Sequence, residues 1–149
     1  RIKAMLNPFN PFLRIVFTVS PVRHLRDGLV ENNWSKARLI EACQRICATP
    51  LPPTYFPSYE LIIDELRDYR FYEEDLVHPN KTAIEYIWKR FVVFAFSDNT
   101  TAIYQERNQF IAQLNHKSLH PESEVDKKRL ELVGRKLKEF GKRNPDVLI

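Results

Sequence analysis

Glycine is nearly missing from this 149-residue chain: Gly28, Gly134 and Gly141 are all it has. An α/β enzyme usually spends several glycines on strand–helix turns and on loops that cradle a phosphate or an oxyanion. None of these three closely follows a strand-like run, so the loop that would carry a nucleophile is expected upstream of this chain. Cysteine is scarce as well. Cys43 and Cys47 are the only two, and on one helix their Cβ atoms would lie about 5–6 Å apart, beyond the usual disulfide reach of about 3.5–4.5 Å. They read as reduced core residues, and with no histidine at ligand spacing near them no metal site is expected. No apolar run reaches the roughly 18 residues that span a bilayer, so no membrane partner is expected. The start has neither the apolar region nor the cleavage pattern of a signal peptide. The expected location is therefore cytoplasmic or unassigned.

What is present points to a folded domain. An apolar fraction of 44% with 12% aromatics excludes global disorder, and the length suits one domain with a real core. The net charge of +4 comes from 23 Lys and Arg against 19 Asp and Glu. That mixture describes a salt-bridging surface rather than a dedicated nucleic-acid binder, so nucleic acid is not the expected partner.

The pattern along the chain predicts two short strands and five helices. Asn7 to Pro11 reads as linker. The apolar, β-branched-rich run Leu13–Val19 reads as a buried parallel strand ending at Ser20-Pro21-Val22, and the carboxyl end of such a strand is where α/β enzymes place functional loops. Residues 23–34 read as loop. Ser35 is expected to cap a helix over about 36–48 with Leu39, Ile40, Cys43, Ile46 and Cys47 on one stripe, broken by Pro50, Pro52 and Pro53. Thr54–Phe56 suits a second strand. Ser58 is expected to cap a helix to about Leu66, with Tyr59, Ile62, Ile63 and Leu66 inward, and 69–72 to be extended. Asn80 should cap a helix to about Phe96 that is the most buried of the set, through Ala83, Ile84, Ile87, Trp88, Phe91, Phe94 and Ala95. Two more helices follow, over about 99–114 and 123–142. Two short strands make a marginal sheet, so they are expected to belong to a larger one.

The residues that carry chemistry cluster at Asp75-Leu76-Val77-His78-Pro79-Asn80. In a tight turn, residues i and i+3 approach each other. The Asp75 carboxylate could then accept the Nδ1 proton of His78 and leave Nε2 as a proton acceptor. The bland alternative is a structural turn ahead of a helix. Ser20, at the strand's end, is a candidate oxyanion or pocket residue with turn formation as its alternative. As a nucleophile it lacks glycine-flanked geometry. His24 with Arg23 and Arg26 could meet an anionic group or form a solvated basic loop. His116 and His120 lack partners at metal-ligand spacing. The last helix puts Leu130, Val133, Leu137 and Phe140 on one seam. Its acidic start (Glu122, Glu124, Asp126) and basic end suit the helix dipole, and Glu131 and Arg135 are spaced as a favourable pair.

The segments Tyr55-Phe56-Pro57-Ser58-Tyr59-Glu60, Asp68-Tyr69-Arg70-Phe71-Tyr72 and Asp75-Leu76-Val77-His78-Pro79, with Phe17-Thr18-Val19-Ser20-Pro21-Val22 before them, resemble the C-terminal part of the GSCFA family, a branch of the SGNH hydrolase superfamily. The resemblance covers roughly residues 12–97. It implies an α/β fold: a portion of a flavodoxin-like, SGNH-type three-layer α/β/α sandwich, helix-rich. It also implies that Asp75 and His78 complete a Ser-His-Asp triad. The Gly-Ser-Cys-Phe-Ala motif that names the family, and whose serine is the nucleophile, is absent from this chain.

The combined expectation is an SGNH-like hydrolase portion over 1–97, with a C-terminal helical extension over 98–149 packed on the same domain. It would cleave an ester or acyl bond of a small molecule or glycan. His78 would be the base, Asp75 its orienting carboxylate and Ser20 a pocket wall, with no cofactor. A start at Arg1 and the glycine scarcity make this chain the expected C-terminal portion of a longer protein, inactive alone and in need of its upstream segment. The alternatives are a non-catalytic helical protein-interaction module and, less favoured, binding of nucleic acid or an anionic surface by the basic last helix.

Overall fold

The computed structural model describes residues 5–48, 54–117 and 123–147. Predictions that fall on Pro50, Pro52, Pro53, His120 and Glu122 lie outside the described residues. The chain divides into two compact units, Arg1–Ala95 and Phe96–Ile149.

The first unit is a helix-rich α/β arrangement. Strand β1 (Val16–Phe17) pairs in parallel with β2 (Thr54–Tyr55), Val16 opposite Thr54 and Phe17 opposite Tyr55. The Thr54 N–H donates to Ile15 O at 2.9 Å and the Phe56 N–H to Phe17 O at 2.8 Å. Parallel strands need a long crossover, usually a helix, and helix α1 (Leu29–Cys47) is the helix of that crossover. The strand expected over 13–19 is thus parallel but shorter. Its residues Val16 and Phe17 are half-buried, and only Val19 is fully enclosed.

Helix α1 starts seven residues earlier than the Ser35 cap implied. The physical reason is Gly28, whose φ of 98° suits glycine and turns the chain into the helix. A Cβ there would also lie 2.7 Å from the Glu31 carboxylate. Ahead of it, Leu25–Asp27 forms a 3₁₀ turn, stitched to the helix by the His24 N–H donating to the Asn32 side chain at 2.8 Å.

After β2, a helical turn α2 (Ser58–Glu60) continues as a π-helix over Leu61–Leu66. Ser58 does not cap it, because its hydroxyl is drawn to the strand end instead. The π-helix closes with the Arg67 N–H donating to Ile62 O and with Arg67 at φ 52°. The wider turn buries Leu61 beside Ile62, a position that a 3.6-residue period leaves off the inward stripe. Residues 69–71, expected to be extended, form a 3₁₀ turn whose start is capped by the Asp68 carboxylate.

Helix α3 (Lys81–Ala95) follows. Asn80 caps it as expected, accepting from the Ala83 N–H at 3.1 Å, while its amide donates to Arg70 O at 2.7 Å and Tyr72 O at 3.3 Å. Asn80→Ala removes all three bonds and should cost about 1–2 kcal/mol, readable as a fall in urea midpoint. An unchanged midpoint would show that the cap contributes nothing. The apolar stripe of α3 divides between two tasks. Ala83 and Ile87 pack on Ile62, Tyr72, Ile63 and Leu66 to form the core, whereas Ile84, Trp88 and Phe94 stay largely exposed. The expectation that α3 is the most buried helix is corrected accordingly.

The second unit is a helical pair, α4 (Asp98–Asn115) and α5 (Glu124–Arg143), with Ser97 and Ser123 accepting from backbone N–H groups as N-caps. Phe110, Val133 and Phe140 are buried, and the rings of Phe110 and Phe140 meet edge-to-face at 5.6 Å. Leu130, placed on the same seam by its spacing, is exposed. Several basic residues of α5 are paired: Arg129 with Asp126, Lys127 with Glu124 and Arg143 with Glu106. Among the described residues, no helix is long and apolar enough to cross a membrane.

Candidate functional site

The Asp75–His78 loop hangs from a two-sided clamp. Tyr72 and Pro79 form an antiparallel bridge, the Glu73 N–H donates to His78 O at 2.8 Å, and the Asn80 N–H donates to Phe71 O at 2.9 Å. Between these, Leu76 adopts φ 56°, and its N–H returns to Glu73 O at 2.9 Å. A leucine is disfavoured in that region, so the loop's closure is imposed by the bonds around it.

Inside the loop both carboxylate oxygens of Asp75 are used. Oδ1 accepts from the Val77 N–H at 2.8 Å and from the His78 N–H at 3.0 Å. Oδ2 lies 2.7 Å from His78 Nδ1. The hydrogen bond from the His78 side chain, reinforced by the backbone N–H groups of His78 and Val77, holds the Asp75 carboxyl down at about 2. An ionised carboxylate only accepts, so Nδ1 carries the proton, and in the neutral imidazole Nε2 is the nitrogen with the lone pair. The i, i+3 spacing therefore delivers the arrangement expected of it.

The depressed value has a definite sign. It lies below the ordinary 3.8, so the loop's stabilisation is complete above that pH and is lost as pH falls through about 2. Carboxyl-carbon NMR should show Asp75 titrating near 2 in wild type and closer to 3.8 in His78→Ala. A wild-type midpoint at 3.8 would mean that the imidazole is not bonded to it.

His78 opens on a cleft of about 600 Å³. Its walls are mainly apolar: Val22 and Pro21 from the strand-end loop, Phe56 after β2, and Ile84, Trp88 and Phe91 from α3. Phe56 meets Phe91 edge-on at 5.1 Å, and Phe91 stacks with Trp88 at 5.6 Å. Three α3 residues read from sequence as core, Ile84, Trp88 and Phe91, are thus cleft wall. The Arg23 N–H donates to Val77 O at 3.2 Å, which ties the strand-end loop to the His78 loop.

Three hydroxyls share the cleft with His78: Thr18, Ser20 and Ser58. Ser58 donates to Val19 O at 2.8 Å. Having one proton, it must accept from Thr18 in their mutual bond, so both protons are spent. Ser20 accepts from the Val22 N–H at 3.2 Å. It is both a turn-former and a wall of the cleft, and its own proton remains available to a bound oxygen. Sequence reading missed the role of Ser58, although its place directly after Pro57 at a strand end was a usable signal.

The other sequence candidates fall elsewhere. His24 pairs with Asp27 at 3.0 Å and is exposed. His116 follows the end of α4. Cys43 and Cys47 are free thiols, half-buried on α1. Among the described residues, no group of three or more His, Cys, Asp or Glu side chains could hold a metal ion.

A helix-rich α/β unit with a carboxylate-oriented histidine beside an apolar cleft is the class of protein that these features define. A family model described as the GSCFA family matches residues 1–91, the span that holds the dyad, the strand-end loop and most of α3. The chain belongs to the GSCFA family. Comparison with curated proteins and with solved structures finds no match.

Proposed function

We propose that this chain supplies the acid–base half of an SGNH-like serine hydrolase acting on an ester or acyl bond. The observation that carries this reading is the 2.7 Å bond from His78 Nδ1 to Asp75 at the mouth of the cleft. Membership of the family supports it, because the family's place in the SGNH superfamily is that of a hydrolase. The complete domain would be a flavodoxin-like α/β/α sandwich to which β1 and β2 contribute.

In the proposed reaction, Nε2 of His78 takes the proton of a serine hydroxyl as the oxygen attacks the carbonyl carbon. Asp75 stabilises the imidazolium, and the proton passes to the departing alkoxide. Water then releases the acyl group by the same route. The nucleophilic serine comes from a segment outside residues 1–149, since Thr18 and Ser58 have committed their protons and Ser20 sits in a turn without flanking glycine. Ser20 serves as a pocket or oxyanion donor, and the apolar walls receive the acyl part of a small-molecule or glycan ester. This chemistry calls for no metal or organic cofactor.

The test uses a polypeptide that extends this chain by the nucleophile-bearing segment, assayed on a short-chain aryl ester. His78→Ala should abolish most activity and Ser20→Ala should lower it about tenfold, the scale of one hydrogen bond to developing charge. Wild-type rates in His78→Ala would overturn the assignment. Complete loss in Ser20→Ala, with folding retained, would make Ser20 the nucleophile instead.

A further inference from the structure

Lys36 is the charged residue that the dyad chemistry leaves unexplained. It sits on α1, is only 8% exposed, and its Nζ donates to Ser20 O at 2.7 Å. The Tyr59 ring lies 6.0 Å away. An ammonium has three protons to place, and among the described residues Lys36 has no ion-pair partner. Burying a cation without a counter-charge is costly, and burial accordingly pushes the Lys36 ammonium below its ordinary pKa.

A second cationic residue, Arg23, borders the same space. The Arg23 guanidinium stacks over Tyr72 at 4.7 Å and Tyr69 at 5.2 Å, and it too has no carboxylate partner among the described residues. Lys36 and Arg23 line one cavity of about 280 Å³ together with Asn32, Asn33 and Tyr59. Asn32 spends its carbonyl oxygen on the His24 N–H, which leaves its NH₂ group as a donor. Glu31 stands at the start of α1 and answers the helix dipole there. It does not line the cavity, and no Asp or Glu is among the lining residues.

We propose that this cavity is an anion-binding site for a carboxylate, phosphate or sulfate group, held by Lys36 Nζ and the Arg23 guanidinium with amide donors from Asn32 and Asn33. Paired charge-assisted bonds to one anion offset the desolvation of both cations. Pro21 is a wall of this cavity and of the His78 cleft alike, and Ser20 O is the acceptor for Lys36. The anion therefore sits next to the scissile position, and the substrate is an ester bearing an acidic group. That last step rests on the hydrolase reading, whereas the anion site itself does not.

The site is tested on the 149-residue protein by titrating inorganic phosphate against chloride at matched ionic strength. Phosphate NMR and melting temperature are the readouts. Wild type should bind saturably, and Lys36→Met and Arg23→Gln should each weaken binding at least about tenfold, as loss of a charged hydrogen bond predicts. Lys36→Met should melt no lower than wild type in chloride, because it removes a buried charge; this shows the variant is folded. His78→Ala should bind phosphate as wild type does, so failure of the hydrolase reading leaves this readout intact. Equal phosphate-induced rises in melting temperature in wild type and both variants would indicate general surface exclusion and overturn the site. In the extended, active polypeptide, Lys36→Met should raise KM for a carboxylate-bearing ester and leave KM for its neutral analogue unchanged. An equal effect on both esters would overturn the substrate assignment and leave the anion site standing.

Discussion

Replacing His78 with alanine in the extended, active polypeptide should lower ester hydrolysis by about 10²–10⁴-fold, the range that general acid–base groups contribute. The loss should fall in kcat, because the imidazole's lone pair is used as the nucleophile's proton departs rather than when substrate binds. Asp75→Asn should be milder, about 10–10²-fold, corresponding to one hydrogen bond to a charged partner. Its side chain is 48% exposed, so water can partly replace the carboxylate. An asparagine in place of Asp75 can also offer its NH₂ to Nδ1, which would stabilise the tautomer that keeps the proton on Nε2. The distinguishing measurement is imidazole nitrogen NMR. Wild type should carry its proton on Nδ1, and Asp75→Asn should show a mixture. A variant with unchanged tautomer and full loss of activity would mean that Asp75 acts in some other way.

The largest effect on stability should come from Ile62→Ala, with a loss of about 2–5 kcal/mol. Ile62 is 1% exposed and packs with Tyr72 and Ala83, and it lies in the π-helix, where backbone adjustment is already committed. For a unit of this size such a loss lowers the melting temperature by roughly 10 °C or more. The consequence reaches the site, because Tyr72 is one side of the bridge to Pro79 that closes the Asp75–His78 loop. The His78 Nδ1 proton should therefore exchange faster in Ile62→Ala under conditions where the protein is still folded. A loss under about 1 kcal/mol would show that the cleft side, not this cluster, is the core of the unit.

Local signals in the chain were legible because the physics behind them is local. Asp75 and His78 meet through a spacing of three residues, Asn80 caps the helix directly after it, and Thr54–Tyr55 is β-branched and aromatic between turn formers. The start of α1 was misread because a positive φ at Gly28 leaves the same sequence signature as an ordinary loop glycine. Leu61 was missed because a π-helix changes the period on which an inward stripe is counted. Trp88 and Phe91 have the composition of core residues, and only the placement of β2, Pro21 and the His78 loop opposite them leaves a cleft there.

Sequence alone determined that this chain folds with mixed α/β character, that it belongs with the GSCFA family, and that one carboxylate stands behind one imidazole. Each of these rests on residues close together in the chain or on motifs in fixed order. Tertiary structure decided what faces the imidazole. It brought Ser20 to the same cleft as His78, spent the protons of Thr18 and Ser58, and buried Lys36 beside Arg23 without an acid. Those outcomes depend on contacts between residues 13 to 58 positions apart, where burial and the direction of a hydrogen bond are set by the packing of separate elements.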